Sequence, residues 1–163
     1  MDKLKELTDG ELIQLMESPK EYTPYALGME YLRRNRDEVN ERISTPVDVL
    51  PIIKGYARRK QEHFITITLN GAHIPIKKNV ISRGLVNRTI IHPREVYRKA
   101  ISQNAVAIIV AHNHPSGNVE PSNEDKEITY RLKQAGDIIG IALLDHIIFT
   151  RDNYYSFLEK GML

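Results

Sequence analysis

The sequence predicts an α/β fold, a mixed β-sheet flanked by helices with a helical extension in front of it. Three observations predict it. Apolar residues recur at helical spacing before residue 60, and a β-branched, alternating stretch, His63-Phe64-Ile65-Thr66-Ile67-Thr68-Leu69, follows Gln61. Further on, Ala105–Ala111 is a short, wholly apolar run between helical segments, the mark of a strand covered on both faces.

In chain order, Thr8-Asp9-Gly10-Glu11 has the spacing of a capping box before Leu12, Ile13, Leu15 and Met16, which predicts a first helix. A second helix is expected after Pro19 and Pro24, running to about Ile43 with Leu32, Val39 and Ile43 on one stripe. Thr45-Pro46 reads as an N-cap followed by proline at the first helical position, opening a third helix that buries Val47, Leu50, Ile53 and Ala57. Asn70-Gly71 is the preferred dipeptide of a two-residue hairpin turn, so the first strand is expected to pair with a second through Ile74, Ile76 and Val80. A third strand is expected near 85–91. His92-Pro93 starts a helix through Val96, Ala100 and Ile101, with His92 as its cap. After the buried strand comes a helix from about Ser122 to Ala135, with Gly136 as its C-cap. Ile138–Thr150 supplies the last strand or two. No Gly- or Ser-rich linker marks the change near residue 60, so the helical front is expected to pack on the sheet.

Composition narrows the class. Among 163 residues, 41% are hydrophobic and 27% charged, a globular profile, and no apolar run approaches the roughly 20 residues of a membrane span. There is no cysteine, which excludes disulfides and thiolate metal sites and suits a cytoplasmic protein. A transition metal would be held by His, Asp or Glu. The net charge of +2 is partitioned: residues 1–53 carry −4, 54–99 carry +9 and 100–163 carry −3. Either the basic stretch is a solvated surface paired with its acidic flanks, or it forms a face for DNA or another acidic partner.

The chemistry concentrates in His112-Asn113-His114-Pro115-Ser116-Gly117 and Ser122-Asn123-Glu124-Asp125. At the end of an extended strand, residues i and i+2 point the same way, so both imidazoles can reach one ion. Asp125, in the first turn of the next helix, can aim back at them. Two imidazoles and a carboxylate leave one position open on a tetrahedral zinc, the arrangement of a catalytic site. Ser-x-x-Asp is also a capping signature. Asp125 is not expected to reach both the Ser122 amide and a metal. Glu62, fifty residues before His112, reads by itself as a surface glutamate at a strand end and becomes the candidate general base only through a family resemblance, while Ser122 is a candidate oxyanion donor. Asp145 and His146 are read equally as a pair orienting a ligand or as ordinary strand-end residues. His63 and His73 are expected to be exposed.

The pattern Glu62 … His112-x-His114-x7-Ser122-x2-Asp125 resembles the JAMM (MPN+) metalloprotease motif, with every position filled. Gln61-Glu62-His63-Phe64, His92-Pro93-Arg94-Glu95-Val96, His112–Gly117 and Leu143-Leu144-Asp145-His146-Ile147-Ile148 resemble the bacterial RadC family, over roughly residues 44–158. That resemblance implies a cytidine-deaminase-like JAB/MPN fold over 44–163 behind a helical extension at 1–43. It also implies one zinc ion on His112, His114 and Asp125, with Glu62 and Ser122 catalytic. The expected activity is hydrolysis of a peptide or isopeptide bond, in a family historically labelled as DNA repair proteins. Longer relatives carry a helix-hairpin-helix in front, whereas here Gly28 stands alone without the hairpin glycine pair. The alternative reading is a nucleic-acid-binding or nuclease module that uses the same metal, with DNA held by the basic segment 54–99. Two look-alikes fall away. The string His-Asn-His lacks the dispersed ββα spacing of HNH nucleases, and nucleobase deaminases need the cysteines this chain lacks.

Overall fold

Alternation and β-branching at the first strand produce β1 (His63–Leu69), every residue of which is buried. The computed structural model of the chain describes residues 7–17, 27–28, 30, 42–84 and 91–163. β1 pairs antiparallel with β2 (Pro75–Arg83) on one side and with β3 (Ala107–Asn113) on the other. β3 runs parallel to β4 (Ala142–Phe149), and β4 is antiparallel to the short β5 (Tyr154–Ser156). The sheet order is therefore β2-β1-β3-β4-β5, with β1 and β3 interior. Edge strand β2 exposes Lys77 and Lys78, charges that discourage pairing with another chain.

Helical elements cover both faces. Thr8 caps α1 (Asp9–Glu17) through the expected reciprocal bonds with Glu11. The expected third helix is a 3₁₀ turn (Pro46–Val49), one turn of α-helix, α2 (Leu50–Ile53), and a second 3₁₀ turn (Lys54–Tyr56). Asp48 Oδ2 accepts from the Thr45 and Ser44 amides at 2.7 and 2.9 Å, which fixes the start. Val49, Leu50 and Ile53 from this segment pack on Ile65, Ile67, Ile109, Ala111, Ile147 and Phe149. On the other face, α3 (Pro93–Ser102) and α4 (Asn123–Ile139) bring Val96, Tyr97, Ala100, Ile128 and Leu132 against Phe64, Ile108 and Val110. Neighbouring residues of β3 thus feed opposite cores, as period-two geometry demands.

Several expectations are corrected. Ile43 is not helical; its amide donates to the His73 carbonyl at 3.0 Å and its side chain enters the sheet-side core. The rest of the expected second helix, with Leu32 and Val39, lies largely outside the described residues, as does the strand expected at 85–90. The hairpin has five connecting residues rather than two. Asn70 Oδ1 accepts from the Ala72 and Ile74 amides, and His73 takes a left-handed φ of 60°, so β2 starts at Pro75. Ile101 is 57% exposed, and the buried positions of α3 are Val96, Tyr97 and Ala100.

α4 does not stop at Gly136. It continues to Ile139 and ends on Gly140, whose φ of 73° is the left-handed cap conformation. Gly136 is needed for close approach instead: a Cβ there would lie 2.5 Å from both the Ile141 carbonyl and the Tyr97 hydroxyl oxygen. Helix propensity alone predicts that Gly136→Ala stabilises by about 1 kcal/mol. The packing predicts the reverse, a net loss of about 1–3 kcal/mol in urea denaturation, and unchanged or increased stability would contradict it.

Candidate metal centre

Period-two alternation carries His112 onto the same face as Ile108 and Val110, towards α4. His112 is fully buried. His114 leaves the strand, its amide donating to the Phe149 carbonyl at 3.0 Å, and the chain turns at Pro115–Gly117. Ser122 caps α4, which places Asp125, 1% exposed, over the strand end. His112 Nε2 and His114 Nε2 lie 2.9 Å apart. Asp125 Oδ1 is 3.1 Å from the first, and Oδ2 is 3.7 Å from the second. One ligand atom from each residue falls within 4.8 Å of the others, a group that could hold a metal ion.

Hydrogen bonds behind the rings decide which nitrogens are available. The Thr129 hydroxyl donates to the Asp125 carbonyl at 2.6 Å. Its oxygen is then the acceptor for His146 Nδ1–H at 2.5 Å. His146 Nε2 is left with its lone pair and accepts from His112 Nδ1–H at 2.9 Å. His114 Nδ1 donates to the Asn118 carbonyl at 2.7 Å. Both imidazoles, when neutral, are therefore Nδ1–H tautomers with Nε2 lone pairs facing one another. Such an arrangement is repulsive unless a cation or a proton sits between them, so the donor set fits a divalent ion.

Electrostatics agree. Burial pulls the His114 pKa down, but hydrogen bonds to Asp125 and the Asn118 carbonyl, with the charges of Asp125 and Glu62, outweigh it and leave the pKa raised. Burial pushes Asp125 up, yet the bonds from His112 and His114, the charge of His112 and the Ser122 bond hold it far below the usual carboxylate range. His146, fully buried and beside His112, is held well below the ordinary imidazole value, which keeps it neutral as the relay requires.

Asp125 caps the helix with one carboxylate oxygen while turning the other to His112, a combination its position in the capping box was expected to disfavour. Oδ2 accepts from the Ser122 amide at 2.8 Å and hydroxyl at 2.6 Å, while Oδ1 faces His112. A carboxylate has enough lone pairs to cap and ligate together. The Ser122 hydroxyl proton is thus directed at Asp125.

Glu62 precedes β1, and its carbonyl accepts from Gly84 N–H at 3.0 Å. β1 and β3 pair with Phe64 opposite His112, and continuing that register by two further steps would set Glu62 opposite His114. Its charge is felt at His114, as the raised pKa records.

Two contributors escape the sequence reading. From the sequence, His146 is only half of an undecided pair with Asp145. Leu143 pairs with Ile108, and Asp145 with Ile109, so Leu144 is an extra residue, a β-bulge. The bulge rephases β4: His146 faces the site, while Asp145 turns to the opposite core. There it accepts from Ser156 Oγ and the Leu158 and His146 amides, and burial, set against those bonds, pushes its pKa up to about 6. The second is Asn113, fully buried between the two histidines in sequence. Its Oδ1 accepts from the His63 amide at 2.8 Å and its Nδ2 donates to the Gln61 carbonyl at 3.1 Å, so it grips both residues flanking Glu62. A buried asparagine in an otherwise apolar strand was the available signal. His63, expected exposed, is 8% exposed, because its ring packs on Tyr56 and Nδ1 bonds the Gln61 carbonyl at 2.8 Å. His73 is half-buried, and exposed His92 caps α3 without a side-chain bond.

Fold and site together define an α/β protein with a His-His-Asp group at the end of its central strand. The chain belongs to the RadC-like JAB domain family, whose match covers residues 43–162. It is 39% identical over 169 aligned residues to a UPF0758 protein of Trichlorobacter lovleyi, covering 98% of this chain and 73% of that one. A UPF0758 protein of Staphylococcus haemolyticus is 44% identical over 84% of this chain and 60% of its own length. One from Rubrobacter xylanophilus is 46% identical over 74% of this chain and 53% of its own length, so the chain spans little more than half of some relatives.

Replacing Asn113 with Ala leaves the His63 amide and Gln61 carbonyl without their buried partner, at a cost of about 1–3 kcal/mol in denaturant unfolding. Zinc affinity should change little, because no ligand is touched. A large loss of zinc affinity with unchanged stability would contradict the clamp.

Proposed function

We propose that this chain is a zinc-dependent hydrolase of the JAMM type that cleaves a peptide or isopeptide amide. The observation that carries the reading is the pair of converging Nε2 lone pairs beside Asp125, with the Glu62 charge reaching the same site. His112, His114 and Asp125 are the proposed ligands, with residues 44–163 as the hydrolase domain and 1–43 as its extension. When bound, zinc supplies a Lewis acid that polarises the scissile carbonyl and acidifies a water molecule.

The chain's own residues do the rest. Glu62 takes the proton from the attacking water and delivers it to the leaving amine, a transfer that needs a carboxylate free of the metal. Ser122 turns its hydroxyl from Asp125 to the oxyanion, while its amide keeps hold of Asp125 Oδ2. His146 and Thr129 keep the His112 proton on Nδ1, so the ligand nitrogen stays unprotonated. Asn113 holds the Gln61–His63 backbone and with it the position of Glu62.

Turnover of internally quenched peptides and of isopeptide-linked substrates by zinc-loaded protein tests this. Glu62→Gln should keep zinc and lose about 10²–10⁴-fold in kcat. Full activity in that variant overturns the role of Glu62, and failure of the wild-type protein to cleave any amide overturns the reaction class.

A further inference from the structure

Beside His114 the surface dips into a groove of about 390 Å³. Arg58, Arg59 and Lys60, from the turn leading into β1, line it with His114 and with Arg151 and Asp152 from the β4–β5 turn. All four cationic side chains are exposed, and among the described residues none makes a salt bridge. Four like charges against one acid, gathered next to a metal ligand, repel one another and attract an anion. The backbone of the first three is tied to the site. Asn113 Nδ2 donates to the Arg59 carbonyl at 3.4 Å as well as to Gln61, which ties the Arg-Arg-Lys turn to the strand that carries both histidines.

We propose that this groove binds the carboxylates of an acidic peptide segment next to the amide to be cleaved, an inference that rests on the amide-hydrolase reading. Guanidinium groups match carboxylates in a two-pronged geometry, and an acidic peptide supplies both the charge and the scissile bond. A nucleic acid fits less well. No phenylalanine, tyrosine or tryptophan lines the groove, so bases find no broad stacking platform beyond the His114 ring. Three other cations of the basic stretch are engaged elsewhere. Arg94 and Arg98 both pair with Glu95 on α3, and Lys78 lies over the Tyr56 ring with its ammonium on the Ile52 carbonyl.

Fluorescence anisotropy with zinc-loaded protein tests the proposal without requiring cleavage. The probes are a fluorescein-labelled Asp/Glu-rich peptide, its Asn/Gln counterpart, and a single-stranded oligonucleotide of equal charge. The acidic peptide should bind about tenfold or more tightly than its amide counterpart, the summed effect of several exposed ion pairs. That preference should weaken with salt and vanish when Arg58, Arg59 and Arg151 are changed to Ala. Unchanged zinc content and melting temperature establish that the triple variant is folded; should it misfold, Arg151→Glu alone should still reduce the preference. Equal binding of the two peptides, tighter binding of the oligonucleotide, or a preference that survives the substitutions overturns the proposal. Charge-dependent binding without cleavage of the acidic peptide counts against the hydrolase reading and leaves the groove assignment standing.

Discussion

Two imidazole lone pairs facing each other at 2.9 Å are the constraint around which the rest of this structure is arranged. Neutral rings would relieve that repulsion by rotating or changing tautomer, and here they are prevented from doing so. His112 is locked from behind by His146, which is itself locked by Thr129, whose hydroxyl is committed to the first turn of α4. His114 is locked by the Asn118 carbonyl. Asp125 adds a negative charge at the same point, buried and fixed by its own helix cap. Burial of that carboxylate is tolerable only with cationic character opposite it.

Holding such a site requires strands that cannot shift. β3 is bonded on both sides, and its burial on both faces specifies its register, since a one-residue slip would exchange the two cores. The bulge at Leu144 is what allows one strand to serve two ends. It sends Asp145 to the β5 side, where that carboxyl organises the chain after the sheet, and His146 to the His112 side. Asn113 performs the corresponding task across β1, facing away from the histidines that flank it and holding the backbone on either side of Glu62.

Much of this was legible in the sequence, for identifiable reasons. His112 and His114 were recognisable because a spacing of two at the end of an apolar run has few geometric solutions. Asp125 was recognisable because Ser122 marks a helix start. β1, β3 and the helix after Ser122 followed from periodicity. What stayed hidden depended on pairing between distant segments. Nothing local reveals that Leu144 is skipped in the β3–β4 register, so Asp145 and His146 could not be assigned faces. The Asn70-Gly71 dipeptide pointed to a short turn, but Asn70 Oδ1 finds two amides further on and His73 accepts the left-handed conformation. Gly136 looked like a terminator, whereas its lack of a side chain answers to Tyr97 and Ile141, contacts that exist only in the folded chain.

Calorimetric titration of zinc into the metal-stripped full chain at neutral pH measures the central claim most directly. One ion should bind per chain, with affinity that weakens as the pH falls, because His114, whose pKa is raised, must be deprotonated to ligate. Replacing His112 and His114 together with Ala should abolish that binding. A protein that takes up no ion, or one that binds zinc equally well without both imidazoles, would contradict the account.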